Sequence, residues 1–145
     1  MSDDNVSKKI GKADDDAKIL IMEMLEDVDT FGIDIDSIFN HKEKGYMVIE
    51  FLKCITVKPH KSHPNRYWNR CWRKVFVLFN ITKLLDGTFY WVTYEDSREQ
   101  FSVIKILEID KEKGITKFER KDWNYSQFKR WYRLINSNPK GIDTH

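Results

Sequence analysis

Three acidic residues and one lysine stand in segments whose other residues are typical of buried β-strands. Asp34 and Asp36 alternate with isoleucines in FGIDIDSIF, and Glu50 interrupts the apolar run YMVIEFLKCI three positions before Lys53. Burial of a carboxylate costs free energy unless it is paired, hydrogen-bonded or bound to a metal. Two carboxylates and several waters form a site that Mg²⁺ or Mn²⁺ accepts, and a nearby lysine could orient a water or stabilise charge on a phosphate.

Two predicted strands would position these side chains. The first, FGIDIDSIF, shows the alternation of a strand, and the polar turn HKEKG ends at Gly45, where the second, YMVIEFLKCI, begins. The two strands predict a hairpin in which Asp36 and Glu50 converge, with Asp34 on the same strand face as Asp36 because side chains alternate.

The remaining pattern predicts a mixed sheet with helices on its faces. Helices are predicted over residues 13–28, 67–85 and 125–135, and further strands over 88–94, 101–109 and 115–120. Asn124 and Gln127 have the spacing of a capping box before the last helix. The order of elements indicates an α/β or α+β class, a central mixed β-sheet flanked by helices.

Length and composition indicate one domain. The chain has 145 residues, of which 41% are hydrophobic, and no apolar run approaches the ~20 residues of a membrane span. The first residues lack a signal-peptide pattern, and two cysteines do not make a disulfide framework. We therefore expect a cytoplasmic protein without membrane contact, with a flexible arm over 1–12, a single domain over 13–136 and a flexible tail over 137–145.

Charge is strongly segregated along the chain. Residues 1–50 carry 13 acids and 6 bases, whereas residues 51–85 carry 8 bases and no acid. A basic block of this kind could hold a polyanion, although the two blocks could also be complementary surfaces that lie near each other. The cations predicted to contact a nucleic-acid backbone are Lys58, Lys61, Arg66, Arg70 and Lys74.

Aromatic residues of the same region have a structural and a binding interpretation. Trp68 and Trp72 could stack on bases, but their spacing of four favours core packing, most clearly for Trp72. The aromatic stripe of the last helix is likewise more typical of packing across the sheet than of a partner-binding face.

Cysteine and histidine chemistry has weaker support. Cys54, His60, His63 and Cys71 could form a zinc site, but their spacing is unfamiliar and both cysteines lie in predicted core segments. No recognisable pattern places an acid and a histidine beside either thiol, so a cysteine nucleophile is disfavoured as well.

The segment FGIDIDSIFNHKEKGYMVIEFLKC resembles the PD-(D/E)XK nuclease superfamily. An Asp near one strand, a turn and an apolar strand with a Glu and a Lys are similar to that family's hairpin, and 13 residues separate Asp36 from Glu50, a spacing typical of the family. The resemblance covers roughly residues 14–94 and implies a restriction-endonuclease-like core, elaborated by a C-terminal hairpin and helix.

The resemblance implies a Mg²⁺- or Mn²⁺-dependent endonuclease. Asp36 and Glu50 would hold the metal with Asp34 as a further ligand, and Lys53 would assist the attacking water as the third catalytic residue. The first helix of the family often supplies another carboxylate, here Glu23 or Glu26. Nucleic acid would be the partner, DNA favoured over RNA, and a homodimer is compatible with the family.

One position departs from the family motif. The motif places Glu and Lys two residues apart, but residue 52 is Leu and the lysine is Lys53. In a regular strand Lys53 points away from Glu50. A β-bulge could redirect it, Lys74 on the next helix could replace it, or catalysis could be lost. The alternatives to a nuclease are an inactive nucleic-acid- or protein-binding module on the same fold and an interaction subunit assembled through its charge blocks.

Overall fold

The computed structural model describes residues 15–26 and 32–137, which belong to two compact units, one up to Gly32 and one from Ile33 onward. The first unit contains helix α1 (Asp15–Met24), within the span predicted as a helix; Glu23 lies in it and Glu26 in the turn that follows. The predicted arm over 1–12 lies outside the described residues, as does the predicted tail after Ser137.

The second unit is a five-stranded sheet with one long helix on each face. Its elements are β1 (Ser37–His41), β2 (Gly45–Lys53), two short 3₁₀ turns (Pro59–Lys61 and Pro64–Tyr67), α2 (Trp68–Leu84), β3 (Thr88–Tyr94), β4 (Phe101–Asp110), β5 (Gly114–Trp123) and α3 (Tyr125–Asn136). The strands follow chain order across the sheet, and only β2 and β3 are parallel. The predicted α+β class with a mixed sheet is confirmed.

Helix α2 is the crossover that the parallel pair β2 and β3 requires, because parallel neighbours cannot be joined by a tight turn. Its buried positions, such as Cys71, Val75 and Leu78, recur at the helical spacing of three and four. They pack on the sheet face that carries Val48 and Trp91. This core holds α2 over β2, the strand that contains Glu50.

Helix α3 covers the opposite face, as its aromatic stripe predicts. Phe128 and Ile135 are buried there against β2, β3 and β4. The predicted capping box begins the helix: the Asn124 side chain accepts from the Gln127 backbone N–H, and the Gln127 side chain accepts from the Asn124 N–H, both at 2.9 Å. No helix in the described segments is long and apolar enough to cross a membrane.

The loop between β2 and α2 is anchored to the far strands of the sheet. The Asn65 side chain donates to the Ile115 carbonyl at 2.9 Å and accepts from the Ile115 N–H at 2.7 Å. Arg120 of β5 donates to the carbonyls of Pro59 and His60 at 3.0 and 2.8 Å. These long-range contacts fix the basic loop beside the carboxyl end of β2.

Candidate functional site

Asp36 and Glu50 meet where the β1–β2 hairpin opens. The Asp36 carboxylate accepts a hydrogen bond from the Phe51 N–H at 2.9 Å, and the Asp36 N–H donates to Glu50 Oε2 at 3.3 Å. The pairing of Ser37 with Ile49 sets this register, because it places the residue before β1 beside the residue after Ile49. The structure therefore brings together the two carboxylates that the hairpin pattern predicts to converge.

The strand prediction for FGIDIDSIF is wrong in its first half. Strand β1 begins only at Ser37, so Asp34 and Asp36 precede the strand and do not share a strand face. Asp34 is exposed, and no hydrogen bond or ion pair joins it to Glu50 in the described part of the chain. The alternation of Ile and Asp predicted a longer strand. The pairing with β2 begins only at Ser37, and Asp36 instead forms two hydrogen bonds with Glu50 and Phe51 that involve a side chain.

Glu50 is a buried carboxylate whose partner is Lys74. It is 2% exposed and lies on the α2 face of β2, where Lys74 Nζ forms an ion pair with Glu50 Oε1. Burial raises the pKa of Glu50 to about 7; the Lys74 hydrogen bond opposes this rise, and the negative charge of Asp36 adds to it. The side chain therefore keeps its proton to a higher pH than an exposed glutamate does.

Lys53 does not take part in this cluster, contrary to the prediction of its catalytic role. Its Nζ pairs with the exposed Asp96 at 3.2 Å. Strand β2 keeps a regular register with β3 from Met47 to Lys53, so no bulge turns Lys53 toward Glu50. The structure instead matches the alternative in which Lys74 of α2 reaches Glu50.

A cleft opens beside this cluster, between β2, the loop after it and α2. It has a volume of about 600 Å³, and Glu50, Lys74, Arg66 and Arg70 line it. Trp91 of β3 lines it as well and is the register partner of Glu50 in the parallel pair. Lys53 lines it too, so the cleft combines one buried carboxylate with four cations, and this excess of positive charge attracts an anion such as a phosphate.

The five cations predicted to contact nucleic acid divide into two groups. Arg66, Arg70 and Lys74 line the cleft, and the Arg66 guanidinium is held by a 2.8 Å hydrogen bond to the Lys61 carbonyl. Lys58 instead pairs with the Glu95 carboxylate at 2.7 Å, and this contact lowers the pKa of Glu95. The Lys61 side chain is exposed on its 3₁₀ turn. Lys58 and its partner Glu95 both lie outside the lining of the cleft.

The two tryptophans of α2 have different environments. Trp68 packs against the α2-side core and donates its indole N–H to the Lys111 carbonyl at 2.7 Å. Trp72 is only half-buried, with Lys111 Nζ 5.1 Å from its ring centroid. The core interpretation therefore holds for Trp68 and is wrong for Trp72, which lies under a lysine at the surface.

The four residues considered for zinc make separate contacts. His60 Nε2 lies 3.2 Å from the Trp123 carbonyl, and His63 Nδ1 accepts from the Asn65 N–H at 3.0 Å. Both cysteines are free, and burial raises the pKa of the Cys71 thiol to about 11. Cys71 is therefore a protonated core residue at neutral pH, and these four described side chains form no group of three that could hold a metal ion.

Asp36 and Glu50 supply two carboxylates that could hold a hard divalent cation. No group of three or more His, Cys, Asp or Glu side chains assembles for metal binding within residues 15–26 and 32–137. Mg²⁺ usually keeps several waters and binds through one or two carboxylates, which is what Asp36 and Glu50 provide. Burial is the main cause of the raised pKa of Glu50 and the negative charge of Asp36 adds to it, so a bound cation would offset that repulsion.

The cleft also contains Trp91 and Ser62, which the sequence pattern did not single out. Tyr67 and Trp91 form part of its wall, and the Trp91 indole donates to the Tyr67 hydroxyl at 3.3 Å. Trp91 could have been found by pairing β2 with β3 in parallel, since this pairing places it beside Glu50. Ser62 lines the cleft as well, and no sequence signal distinguishes it.

Comparison of the chain with models of protein families, with curated proteins and with solved structures finds no significant match. The case for a function therefore depends on the contacts of Asp36, Glu50 and Lys74 and on the charge of the cleft.

Proposed function

We propose that the chain is a metal-dependent nuclease of the PD-(D/E)XK type that hydrolyses phosphodiester bonds of nucleic acid in the Glu50 cleft. The observation that carries this proposal is the contact cluster itself. Asp36 and Glu50 are joined by a backbone hydrogen bond, and Lys74 binds the same glutamate. Two acids and a lysine at one point are the chemical groups that the sequence resemblance implies.

Each residue of the cluster has a distinct part in this proposal. Asp36 and Glu50 would hold Mg²⁺ or Mn²⁺, which supplies Lewis-acid stabilisation of the phosphate charge. Lys74 would donate a hydrogen bond to the attacking water or to a phosphate oxygen from a fixed position. Arg66 and Arg70 would bind neighbouring phosphates and so place the scissile bond above Glu50.

The topology supports the same interpretation. A hairpin, a crossover helix and a parallel strand follow one another from β1 to β3, in the order that the resemblance implies. The lysine comes from α2, the helix that also supplies Arg70 to the cleft. A DNA substrate, a cytoplasmic location and a homodimeric state belong to the same proposal.

The test is cleavage of labelled DNA and RNA by the purified chain with Mg²⁺ or Mn²⁺. We expect Asp36→Asn, Glu50→Gln and Lys74→Gln each to reduce the rate by about 10²-fold or more. The matched controls are Asp34→Asn and Lys83→Gln, which change the same residue types outside both the cluster and the lining of the cleft, and we expect both to retain cleavage. Absence of cleavage in the unaltered chain, or equal loss in the controls, would contradict the proposal.

A second candidate is a binding module that does not cut. The observation in its favour is that both Glu50 oxygens already have partners, Lys74 and the Asp36 N–H. Such a module would still bind nucleic acid through the cleft cations, with an affinity that falls steeply as salt increases. Salt-dependent binding that is weakened by Arg66→Gln, without metal-dependent cleavage, would select this candidate.

A further inference from the structure

A second cavity lies on the other face of the sheet, between α3 and the carboxyl ends of β2 and β3. Its volume is about 530 Å³, within the ordinary range for small-ligand sites. We name it the aromatic groove, after the six rings that line it: Phe51, Tyr94, Phe101, Tyr125, Phe128 and Tyr132.

The rings of the aromatic groove divide into a floor and walls. Phe101 and Phe128 are buried and stacked, with ring centroids 4.5 Å apart and planes 6° apart, so they belong to the core. Tyr125 is 46% exposed, and Tyr94 and Tyr132 are half-buried. Each tyrosine ring is therefore partly open to solvent, and Tyr132 also stacks on Phe128 with ring planes 21° apart.

The groove is also strongly basic. Arg98, in the segment between β3 and β4, and Lys129 and Arg133 of α3 line it together with Asn136, and no acidic residue does. None of the three cations forms an ion pair in the part of the chain that the structure describes. Lys129 Nζ lies over the face of the Tyr125 ring, 5.8 Å from its centroid, so this charge and the exposed ring already form a cation–π contact.

Aromatic walls with unpaired cations are complementary to a nucleotide. A base can stack on an exposed ring irrespective of its identity, while arginine and lysine bind the phosphate attached to it. An acidic peptide would satisfy the cations but would leave the tyrosine faces without a planar partner. A base within a duplex is covered by its neighbours, so only an unpaired base can stack in the groove.

The groove and the Glu50 cleft lie on either side of the same strand end. Neighbouring residues of a strand point to opposite faces, and Phe51, which lines both cavities, directly follows Glu50. A single nucleic-acid strand that crosses the end of β2 would therefore reach both sites.

We propose that the aromatic groove binds an unpaired nucleotide of a single-stranded nucleic acid. Its base stacks on Tyr125 and Tyr132, and its phosphate contacts Arg98, Lys129 and Arg133. This proposal extends the proposed function by naming single-stranded nucleic acid as the substrate class. Binding in the groove does not depend on the nuclease proposal, but the statement that the bound strand is then cleaved does.

The test is fluorescence anisotropy of the full chain in EDTA, so that binding is measured without cleavage. The probes are a labelled single-stranded oligonucleotide, its duplex and a labelled polyglutamate peptide. We expect the single strand to bind more tightly than the duplex and Tyr125→Leu to weaken this binding by about fivefold or more. Lys129→Gln and Arg133→Gln should each lower the slope of log affinity against log salt concentration by about 0.7.

The matched control is Arg130→Gln, a charge removal on α3 outside the groove, which should leave single-strand binding within about twofold of the unaltered chain. Because Lys129, Arg130 and Arg133 are exposed, these variants test the groove even if a tyrosine variant folds poorly. Equal effects of Arg130→Gln and Arg133→Gln, equal binding of the duplex, or tighter binding of polyglutamate would overturn the proposal.

Failure of this proposal is distinguishable from failure of the nuclease proposal. If single-strand binding depends on Tyr125, Lys129 and Arg133 but no metal-dependent cleavage occurs, the groove assignment stands and the nuclease proposal fails. If cleavage depends on Glu50 and Lys74 while the groove variants bind and cut normally, the groove assignment fails.

Discussion

Glu50 should make the protein less stable as the pH rises. Its pKa is raised from 4.5 to about 7, so the folded chain binds its proton more tightly than the unfolded chain does. Between these two values the folded state holds more protons, and the free energy of unfolding therefore falls with increasing pH. Replacement of Glu50 by Gln removes the titrating group and keeps an oxygen that can accept from Lys74.

The size of the effect follows from the shift. One pKa unit corresponds to about 1.36 kcal/mol, so the full shift amounts to about 3 kcal/mol. Most of this effect develops between roughly pH 5 and pH 8. The free energy of unfolding of Glu50→Gln minus that of the unaltered chain should therefore increase by about 2–3 kcal/mol over this range.

The assay is urea unfolding in EDTA at several pH values, with both proteins measured in parallel. The difference between them cancels the titration of all other groups that the substitution does not affect. Glu43→Gln is the matched control, because it removes an exposed carboxylate from the β1–β2 turn. A Glu50→Gln difference that is constant with pH, or that decreases as the pH rises, would refute the account of Glu50 as a buried, proton-binding carboxylate.

Three further substitutions test the packing that positions the site, each by the midpoint of urea unfolding. Gly114→Ala should cost about 2 kcal/mol or more, because Gly114 has φ +98° and an added Cβ would lie 2.3 Å from Asn65 Oδ1; an unchanged midpoint would contradict this. Asn124→Ala removes the capping box with Gln127 and should cost about 1 kcal/mol, so a stabilised variant would count against it. Leu78→Ala creates a cavity under α2 and should cost about 2–5 kcal/mol; a loss below about 1 kcal/mol would show that Leu78 is not a core contact.

Local patterns predicted most elements because their apolar periodicity agrees with their final packing. The run TFYWVTY forms β3 at its predicted bounds, and the stripe of the last helix packs on the sheet through Phe128 and Ile135. The first strand was predicted too long because Ile33 and Ile35 continue its alternation, whereas the ladder begins only at Ser37. The residue at which a strand begins to pair depends on contacts with its neighbouring strand. The alternation of side chains within one strand gives no information about those contacts.

The candidate site was only partly predictable for the same reason. Asp36 and Glu50 flank one hairpin, so their convergence follows from local sequence. Lys74 reaches Glu50 only because α2 crosses back over β2, and the spacing of 24 residues carries no signal of this contact. Lys53 was favoured by sequence proximity, but the regular register of β2 directs it to Asp96.

Anomalous scattering from crystals grown with Mn²⁺ would show whether the Asp36 and Glu50 carboxylates share a metal ion. We expect one strong peak bound by oxygens of both Asp36 and Glu50, and no such peak in crystals of Asp36→Asn grown in the same way. Mn²⁺ bound elsewhere, or no peak beside Glu50 in the unaltered chain, would contradict a metal centre at this cluster.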